Sequence, residues 1–357
     1  MSDSLSIRSI FRDYKVEFTS EFLDKLKILK LDGDLVVVDS TVLLLYPEIR
    51  LVAGDDLWAV DGQESLKSYE GVIPLFQRLI EGGFHRDNRI IAIGGGITQD
   101  IASFVSSLLY RGVDWYFFPT NMLTQCDSCI GSKTSINFRQ YKNQIGGFYP
   151  PAEVIIDTNF LKSLSRIEVA SGLGEMLHYF LLNSEEDLEL FWKYAPEIRS
   201  GNDLYKPLIL RSLTIKKAMI ELDEFDRGPR NIFNYGHSFG HAIESATNYA
   251  VPHGIAVAYG IDLANLVSVM RGLLQSSERN RIRRACELVF DGFSLPSIEM
   301  YDYMAAMKRD KKNVGQRLGL ILTRGVGDMF KELCEVNDDL HNLIASFFTN
   351  KLYLTDI

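Results

Sequence analysis

The chain has 357 residues, of which 46% are hydrophobic and 24% are charged, and its formal net charge at pH 7 is −9. This length suits two domains, and the composition is that of a globular protein in water. The negative charge argues against a surface that binds nucleic acid or an anionic membrane, so we expect neither among its partners.

The N-terminal sequence lacks the basic start and apolar core of a signal peptide, and no stretch approaches the ~18 apolar residues of a membrane span. We therefore predict a cytoplasmic protein. Its four cysteines are too few for a disulfide framework. Cys126 and Cys129 match a C-x-x-C pattern, but no cysteine or histidine partner lies near them in sequence. We expect two small buried residues there rather than a redox or zinc site.

Short β-branched and apolar runs alternate with helix-like segments in the first half of the chain, which is typical of a parallel sheet covered by helices. Strands are predicted over residues 35–39, 89–93, 115–119 and 153–157. From about residue 161 onward, nearly every segment has the pattern of a helix. The predicted fold is therefore an α/β domain with a Rossmann-like parallel sheet, followed by an all-α domain.

The second predicted strand runs directly into Gly94, Gly95 and Gly96, and a helix is predicted over residues 101–109. Glycines at such a turn let backbone amides approach a phosphate, and the helix N-terminus adds partial positive charge. The turn is a candidate seat for a pyrophosphate. It departs from the dinucleotide fingerprint G-x-G-x-x-G, because Asp100 lies near the place of the third glycine. A tight connection that binds nothing is the alternative.

Lysines lie among glycines and small polar residues over 127–143, a stretch that includes Lys133, Lys142 and Asn143. This setting is typical of a loop that holds an anion, and a solvated surface loop is the alternative. A second basic set comprises Lys216, Arg230, Lys311 and Lys312. An acidic protein can still carry a local basic pocket of this kind.

Three of the six histidines, His237, His241 and His253, fall within 17 residues. His237 and His241 are four residues apart and would leave the same face of a helix, while His253 follows a proline. Imidazoles bind zinc, and a catalytic zinc site with two histidines usually adds a carboxylate and keeps one position open. The spacing alone would make both His237 and His241 ligands. Ordinary solvated or core histidines are the alternative.

Several motifs follow one another along the chain. They are Gly-Gly-Gly-x3-Asp at 94–100, Tyr-Arg-Gly at 110–112, Gln-x-Asp-Ser-x2-Gly-x-Lys-Thr at 125–134, Tyr-Lys-Asn at 141–143, Gly-x-Gly-Glu at 172–175 and Arg-x3-Asn-x2-His-x3-His-x11-His from 230. In order and spacing they resemble the sugar phosphate cyclase superfamily, and within it the 3-dehydroquinate synthase family. The resemblance implies an NAD-binding α/β domain over residues 1–162 and a helical domain that binds metal and substrate over residues 163–357.

The resemblance also implies the cofactors and their contacts. Glu175, His237 and His253 would bind zinc or cobalt, and His241 would then be a residue of the substrate pocket rather than a ligand. NAD would lie on Gly95, Gly96 and Asp100. The remaining residues expected at or near NAD are Asp39, Glu64, Lys67, Thr120, Asn121, Lys142 and Phe160.

The implied substrate is a sugar phosphate, a seven-carbon 2-keto acid in the family most resembled. Its phosphate would be held by Lys133, Asn143, Asn234, His241 and a lysine at 311 or 312. Arg111 resembles an arginine that reaches this phosphate from a neighbouring subunit, which implies a homodimer. Lys216 and Arg230 would lie around the substrate carboxylate, and Asp127 around the ring hydroxyls.

The implied reaction converts 3-deoxy-arabino-heptulosonate 7-phosphate to 3-dehydroquinate and phosphate, by transient oxidation, phosphate elimination, re-reduction and an intramolecular aldol closure. Arg230 and Asn234 favour this carboxylate-bearing substrate. One alternative is a cyclase in secondary metabolism that acts on sedoheptulose 7-phosphate, glucose 6-phosphate or an amino analogue. Others are a metal-dependent NAD polyol or alcohol dehydrogenase and a noncatalytic paralogue.

His178 marks a departure from the family pattern, which usually has a lysine three residues after the metal-binding glutamate. A histidine is shorter than a lysine and can be neutral near pH 7. Altered recognition of the substrate hydroxyls is therefore expected, unless His178 only fills the space. The sequence indicates a divergent member of the family.

Overall fold

The computed structural model of the chain describes residues 4–139, 141–309, 313, 315 and 317–356. These residues form two compact units. Unit 1 comprises the described residues up to Ser163 together with Lys217–Phe225, and unit 2 comprises Leu164–Lys216 together with the described residues from Asp226 onward. No sequence pattern assigns Lys217–Phe225 to unit 1. There the Arg8 guanidinium donates to Glu221 at 3.1 Å and the Ser9 hydroxyl to Glu224 at 2.6 Å.

Unit 1 is built on nine strands. They are β1 Ser4–Ile7, β2 Tyr14–Thr19, β3 Leu35–Asp39, β4 Leu57–Val60, β5 Ile90–Gly94, β6 Trp115–Pro119, β7 Lys133–Phe138, β8 Tyr141–Phe148 and β9 Glu153–Asp157. Seven of the described strands form a sheet in the order β1-β2-β9-β6-β5-β3-β4. β1 runs antiparallel to β2, and the other pairs in this sheet are parallel. The prediction of a parallel sheet is confirmed.

All four predicted strands are present, as β3, β5, β6 and β9. Val36, Val37 and Val38 of β3 are fully buried, as are the four isoleucine and alanine residues of β5. Strands buried on both faces have continuous apolar runs instead of alternating ones, which is why the sequence identified them. The edge strand β1 and its neighbour β2 had not been predicted, and in β2 buried positions alternate with more exposed ones.

The helices of unit 1 are α1 Phe22–Leu29, α2 Ser40–Leu45, α3 Glu48–Ala53, α4 Tyr69–Glu81 and α5 Gly96–Leu108. α5 begins at Gly96, not at residue 101 as predicted, because the turn after β5 consists of Gly95 alone. Cys126 and Cys129 are buried free thiols, as expected.

The lysine-bearing stretch is not a loop throughout. β7 and β8 pair antiparallel as a separate hairpin, with an irregularity between Ile136 and Phe138. The loop prediction is therefore wrong for Lys133, Lys142 and Asn143, which lie on strands. Thr134 and Ile136 are buried and alternate with more exposed neighbours, a period-2 signal that the glycines and polar residues obscured.

Unit 2 is mainly helical. Its helices are α6 Arg166–Asn183, α7 Glu185–Arg199, the part of α8 Tyr205–Leu222 that ends at Lys216, α9 His237–Ala246, α10 His253–Met270, α11 Ser276–Phe290, α12 Met300–Lys308 and α13 Asp338–Thr349. The unit also contains an antiparallel pair that the sequence did not reveal, β10 Arg317–Thr323 and β11 Met329–Glu335.

α10 is the central helix of unit 2. Among the described residues it alone is as long and apolar as a membrane-spanning helix, with a mean hydropathy of 1.3, and 83% of it is buried inside the protein. Burial on all sides explains why its apolar residues show no single face. α10 packs against α6, α9 and α11.

Candidate functional site

The glycine turn of unit 1 lies at the centre of the sheet. The chain passes from β3 outward to β4 and then returns to β5 on the other side of β3, so the order of strands reverses between β3 and β5. Ligands of open α/β sheets bind beyond the carboxyl ends of the strands at such a reversal. Gly95 is the N-cap of the 13-residue helix α5, and a methyl group on Gly96 would meet no atom within 4 Å. The open space and free amides fit a pyrophosphate.

Asp100, in the first turns of α5, is joined to two other predicted site residues. Lys67 Nζ lies 2.5 Å from Asp100 Oδ2 and 2.6 Å from Asn143 Oδ1. Burial raises the pKa of Asp100 to about 6, although Lys67 opposes the shift. Asn143 has a positive φ of 56°, and its backbone amide donates to Asn137 Oδ1 at 2.9 Å. The network fixes the β7–β8 hairpin beside α5.

Glu64 extends this network. Its carboxylate accepts a hydrogen bond of 2.7 Å from the Asn137 amide, and Lys142 Nζ lies 3.8 Å away. Asn137 was not among the predicted site residues. Its role could not be inferred without the hairpin, since it works by joining β7 to the turn at Glu64–Leu66.

Asp39 is the last residue of β3 and caps α2, because its Oδ1 accepts from the amides of Thr41 and Val42. Its Oδ2 has no hydrogen-bond donor among the described residues. Thr120 is buried just after β6, and the Asn121 Oδ1 accepts from the Thr124 amide at 2.9 Å.

Phe160 lies in the hydrophobic core of unit 1, not on an open surface. Its ring packs 4.5 Å from that of Phe22 and 5.1 Å from that of Tyr46, centroid to centroid. A side-chain contact between Phe160 and NAD stays a prediction.

The metal-ligand candidates of unit 2 form a compact cluster. The donor atoms of Glu175, His237 and His253 all lie within 4.8 Å of one another. Glu175 Oε2 is 3.6 Å from His237 Nε2 and 3.5 Å from His253 Nε2. These separations are close to the ~3.3 Å between ligand atoms in a tetrahedron with zinc bonds of about 2.0 Å. Three such donors leave a fourth position for water or substrate.

Both histidines of the cluster are oriented for binding. His237 Nδ1 lies 3.1 Å from the carbonyl oxygen of Tyr235, and His253 Nδ1 lies 3.2 Å from Glu244 Oε2. Each Nδ1 therefore donates its proton to an acceptor, which turns Nε2, the nitrogen that would bind a metal, toward Glu175. The donor set fits a divalent metal such as zinc.

Two close helix crossings bring these ligands together. A methyl group on Gly174 would overlap the carbonyl oxygen of Gly254, so α6 and α10 approach backbone to backbone beside Glu175 and His253. At the second crossing, a methyl group on Gly260 would overlap the carbonyl oxygen of Gly236, next to His237. Only glycine allows both approaches.

Glu175 and the two histidines of the cluster shift one another's pKa. Burial alone would raise the pKa of Glu175, but His237 and His253 outweigh it and hold that pKa well below its usual range. Burial would lower the pKa of His253, but Glu175 and Glu244 raise it well above its usual value. The metal-free cluster thus holds a proton that a metal ion would displace, so metal affinity is expected to fall at acidic pH.

His241 belongs to a second possible donor set. Its ligand atom lies within 4.8 Å of those of Glu244 and His253, but His241 is exposed. The ring centroids of His237 and His241 are 5.5 Å apart. The buried set with Glu175 fits a metal better, because Glu175 Oε2 has no hydrogen-bond donor among the described residues. The spacing of His237 and His241 does not by itself reveal this distinction.

His178 is fully buried at the edge of this cluster. Its Nδ1 lies 3.6 Å from Glu175 Oε1, and its ring centroid lies 4.8 Å from that of His237. Tyr179 and Phe233 also contact the ring. The residue therefore does occupy the neighbourhood of the metal donors.

The predicted substrate residues are divided between the units. Arg111, Asp127, Lys133 and Asn143 belong to unit 1, and Lys216, Arg230, Asn234 and His241 belong to unit 2. Lys216 and Arg230 are each only 5% exposed. Arg111 is exposed, with a positive φ of 67°. Lys311 and Lys312 lie outside the described residues.

Glu244 is the functional candidate that sequence reasoning missed. It follows His241 by three residues on α9, which places it on the same helix face, and the pattern His-x2-Glu was a usable signal. The sequence could not show that α10 places His253 within hydrogen-bonding distance of Glu244.

Known proteins are similar to both parts of this chain. Models of the 3-dehydroquinate synthase N-terminal and C-terminal domains match residues 57–171 and 172–313. A curated 3-dehydroquinate synthase from Idiomarina loihiensis is 37% identical over 308 residues, 84% of this chain and 85% of the relative. One from Streptococcus equi is 34% identical over 340 residues, 90% of this chain and 92% of the relative.

Two solved structures are also similar. One is 2-epi-5-epi-valiolone synthase from Streptomyces hygroscopicus with NAD+ and Zn2+ bound, at a TM-score of 0.81 and 26% identity over 94% of this chain and 97% of that one. The other is 2-deoxy-scyllo-inosose synthase complexed with carbaglucose-6-phosphate, NAD+ and Co2+. Its TM-score is 0.84 and its sequence identity is 23%, over 96% of this chain and 99% of that one. The two matched domain models and the curated relatives show that the chain is an enzyme that belongs to the 3-dehydroquinate synthase family.

Proposed function

We propose that this enzyme uses NAD and a divalent metal to convert 3-deoxy-arabino-heptulosonate 7-phosphate to 3-dehydroquinate and phosphate. The observation that carries the proposal is the set of buried Glu175 and His237 with half-buried His253, in which both histidines are oriented through Nδ1. A structural zinc site is usually closed by four protein ligands, whereas three ligands leave room for substrate. The curated relatives named 3-dehydroquinate synthase support the same activity.

The cofactors would supply the redox and Lewis-acid chemistry. When bound, NAD accepts and returns a hydride, and the metal polarises a substrate hydroxyl. In unit 1, the amides at Gly95 and Gly96 would hold the pyrophosphate, while Asp39 and Asp100 would accept from ribose hydroxyls. Glu64, Thr120, Asn121 and Lys142 would complete this binding surface. Lys67 would keep Asp100 ionised and in position.

The substrate would be held by its two charged ends. Lys216 and Arg230 would bind the carboxylate, because ammonium and guanidinium groups form charge-assisted hydrogen bonds with carboxylates. Lys133, Asn143, Asn234, His241 and a lysine at 311 or 312 would bind the phosphate, and Asp127 the ring hydroxyls. Holding both ends restricts the substrate to conformations that can lose phosphate and then close into a ring.

The proposed enzyme is a homodimer in which Arg111 reaches the substrate phosphate of the neighbouring subunit. Arg111 is exposed and has no ion pair with another described residue. Leu108 and Tyr110 beside it are 54% and 37% exposed, which gives this region an apolar surface that a subunit contact would bury. We also propose a cytoplasmic location, since the free buried cysteines suit a reducing compartment.

A second candidate is a cyclase for another sugar phosphate, such as sedoheptulose 7-phosphate, glucose 6-phosphate or an amino analogue. His178 favours it, because a buried imidazole 3.6 Å from Glu175 replaces the lysine usual in the family. The similar solved structures are also synthases of other cyclic products.

The two candidates are separated by phosphate release from the enzyme supplied with zinc and catalytic NAD. The substrates are 3-deoxy-arabino-heptulosonate 7-phosphate, sedoheptulose 7-phosphate and glucose 6-phosphate at equal concentration. Our proposal predicts that the first reacts at least ~100-fold more efficiently, since a neutral sugar lacks the carboxylate that the site would bind through charge-assisted hydrogen bonds. Preference for a neutral sugar phosphate would establish the second candidate instead.

A further inference from the structure

A cavity of about 650 Å³ lies within unit 2, and none of the predicted site residues lines it. α7, α10 and α11 contribute to its wall, together with the chain at 291–295 and 351–354. Pockets of this size commonly hold small organic ligands. Its aromatic lining residues are Trp192, Tyr259, Phe290, Phe293 and Tyr353.

Three of these aromatic residues pack against one another. The rings of Tyr259 and Phe290 are stacked with centroids 4.2 Å apart and planes 5° from parallel. Tyr353 meets both edge-on, at 5.0 Å and 6.0 Å. These three rings support the half-buried rings of Trp192 and Phe293, which an aromatic ligand could reach by stacked or edge-to-face contacts.

Two phenol hydroxyls in this wall lack partners. Tyr259 is 1% exposed and Tyr353 is 7% exposed, and neither hydroxyl has a hydrogen-bond partner among the described residues. Burial raises the pKa of both, so both keep the proton that they can donate. Neither hydroxyl oxygen is sealed from solvent, so each can donate to water in the cavity, and a ligand atom that accepts a hydrogen bond could take the place of that water.

Cations outnumber uncommitted anions around the cavity. Lys351 forms no ion pair with a described residue, and Arg284 makes only a long contact, 3.8 Å, with Asp356. Glu287 is already paired with Arg283. Asp291 remains as an exposed acid. Two available cations against one available anion favour a ligand with a single negative charge.

We propose that this cavity is a binding site for a small aromatic carboxylate. Its ring would lie against Trp192 and Phe293, which are the more exposed aromatic residues of the lining, and its carboxylate would face Lys351 and Arg284. The buried phenols would donate to polar atoms of the ligand. The proposal does not depend on the reaction that the enzyme catalyses.

Three probes with one ring system and different charges test the proposal: indole-3-propionate, indole and tryptamine. Binding to the full zinc-loaded chain is measured by titration calorimetry. We expect indole-3-propionate to bind about tenfold more tightly than indole, and tryptamine to bind most weakly. Equal or tighter binding of indole or tryptamine would overturn the proposal, as would no binding of indole-3-propionate at about 10 mM.

Variants then locate the bound probe. Trp192→Ala is expected to weaken the binding of indole-3-propionate about tenfold. Lys351→Ala is expected to weaken it about threefold to fivefold and to leave the affinity for indole unchanged. Both residues are partly or fully exposed, so the variants should fold. Tyr301→Phe and Lys331→Ala, on exposed positions outside the cavity, are matched controls. Unchanged binding in both cavity variants would place the probe elsewhere and refute the site.

Failure of the proposed reaction must be distinguished from failure of this site. Glu175→Gln removes a predicted metal ligand that does not line the cavity, and it is expected to leave the affinity for indole-3-propionate unchanged. A loss of binding in Glu175→Gln with normal unfolding behaviour would overturn the inference of a separate site.

Discussion

Glu244 Oε2 lies 3.2 Å from Nδ1 of His253, on the side of the imidazole opposite the nitrogen that faces Glu175. A carboxylate in this place fixes the ring orientation and makes the ligating nitrogen more basic. Glu244 thus acts through His253 and is a positioning residue for the proposed metal.

Replacing Glu244 with Gln should weaken zinc binding by about 10- to 100-fold, because the neutral amide supports the imidazole less strongly. Zinc affinity is measured by competition with a chromophoric chelator. Glu299→Gln, at an exposed position in unit 2, is the matched control. Activity of Glu244→Gln should recover in excess zinc. Unchanged zinc affinity would show that the contact does not support a metal.

NAD affinity should depend on the charge of Asp100. Because burial raises its pKa to about 6, this carboxylate is mostly ionised at pH 7.5 and mostly protonated at pH 5. Its ability to accept from ribose and to hold Lys67 is lost with the proton, so the Kd for NAD should rise about tenfold between these pH values. Asp100→Asn should bind NAD weakly with little dependence on pH.

Acid unfolding driven by Asp100 would not explain a loss of NAD affinity at acidic pH. Its folded pKa lies above the unfolded value near 3.8, so its contribution to stability is full below pH 3.8 and is lost as the pH rises through about 6. Acid therefore stabilises the fold through this group while weakening NAD binding. An equally strong pH dependence in Asp100→Asn would assign the effect to another group.

His178 should set substrate preference. Introducing the lysine usual in the family, His178→Lys, should raise kcat/KM for 3-deoxy-arabino-heptulosonate 7-phosphate relative to sedoheptulose 7-phosphate by about tenfold. The new ammonium would be stabilised by Glu175, which lies 3.6 Å from the present imidazole. His178→Gln, which adds no charge, is the control. An unchanged ratio in both variants would mean that His178 only fills space.

Arg111 should act across a dimer. Glu175→Gln and Arg111→Ala should each be inactive alone, yet a reassociated mixture should regain about one quarter of wild-type activity, since half of the dimers would contain one intact site. Mixing Glu175→Gln with His237→Asn is the control, because both lack a ligand of the same metal site. A monomer by light scattering, or no recovery on mixing, would contradict this role.

The sequence predicted those parts of the protein that depend on local patterns. Apolar runs such as Val36–Val38 revealed the buried strands, and the glycines after β5 indicated a tight strand-to-helix turn, at which a phosphate seat stays a prediction. Spacing alone could not separate His237 from His241, since both leave the same face of α9. Only the family resemblance named Glu175 as the partner of His237 and His253, 62 residues before His237 in sequence.

Features that depend on distant contacts were missed. The β7–β8 hairpin was hidden by its glycines, and with it the contact of Asn137 with Glu64. Lys217–Phe225 belongs to unit 1 because Glu221 and Glu224 bond to the N-terminal chain, more than 200 residues away. Glu244 gained its role from the crossing of α9 and α10. No local propensity encodes such pairings.

The balance of products tests the central claim most directly. The zinc-loaded enzyme with catalytic NAD is given 3-deoxy-arabino-heptulosonate 7-phosphate, and phosphate, 3-dehydroquinate and NADH are measured over time. We predict one 3-dehydroquinate for each phosphate released and no accumulation of NADH, because the hydride removed from the substrate returns to it. Steady NADH formation, or phosphate release without 3-dehydroquinate, would contradict the proposed cyclase reaction.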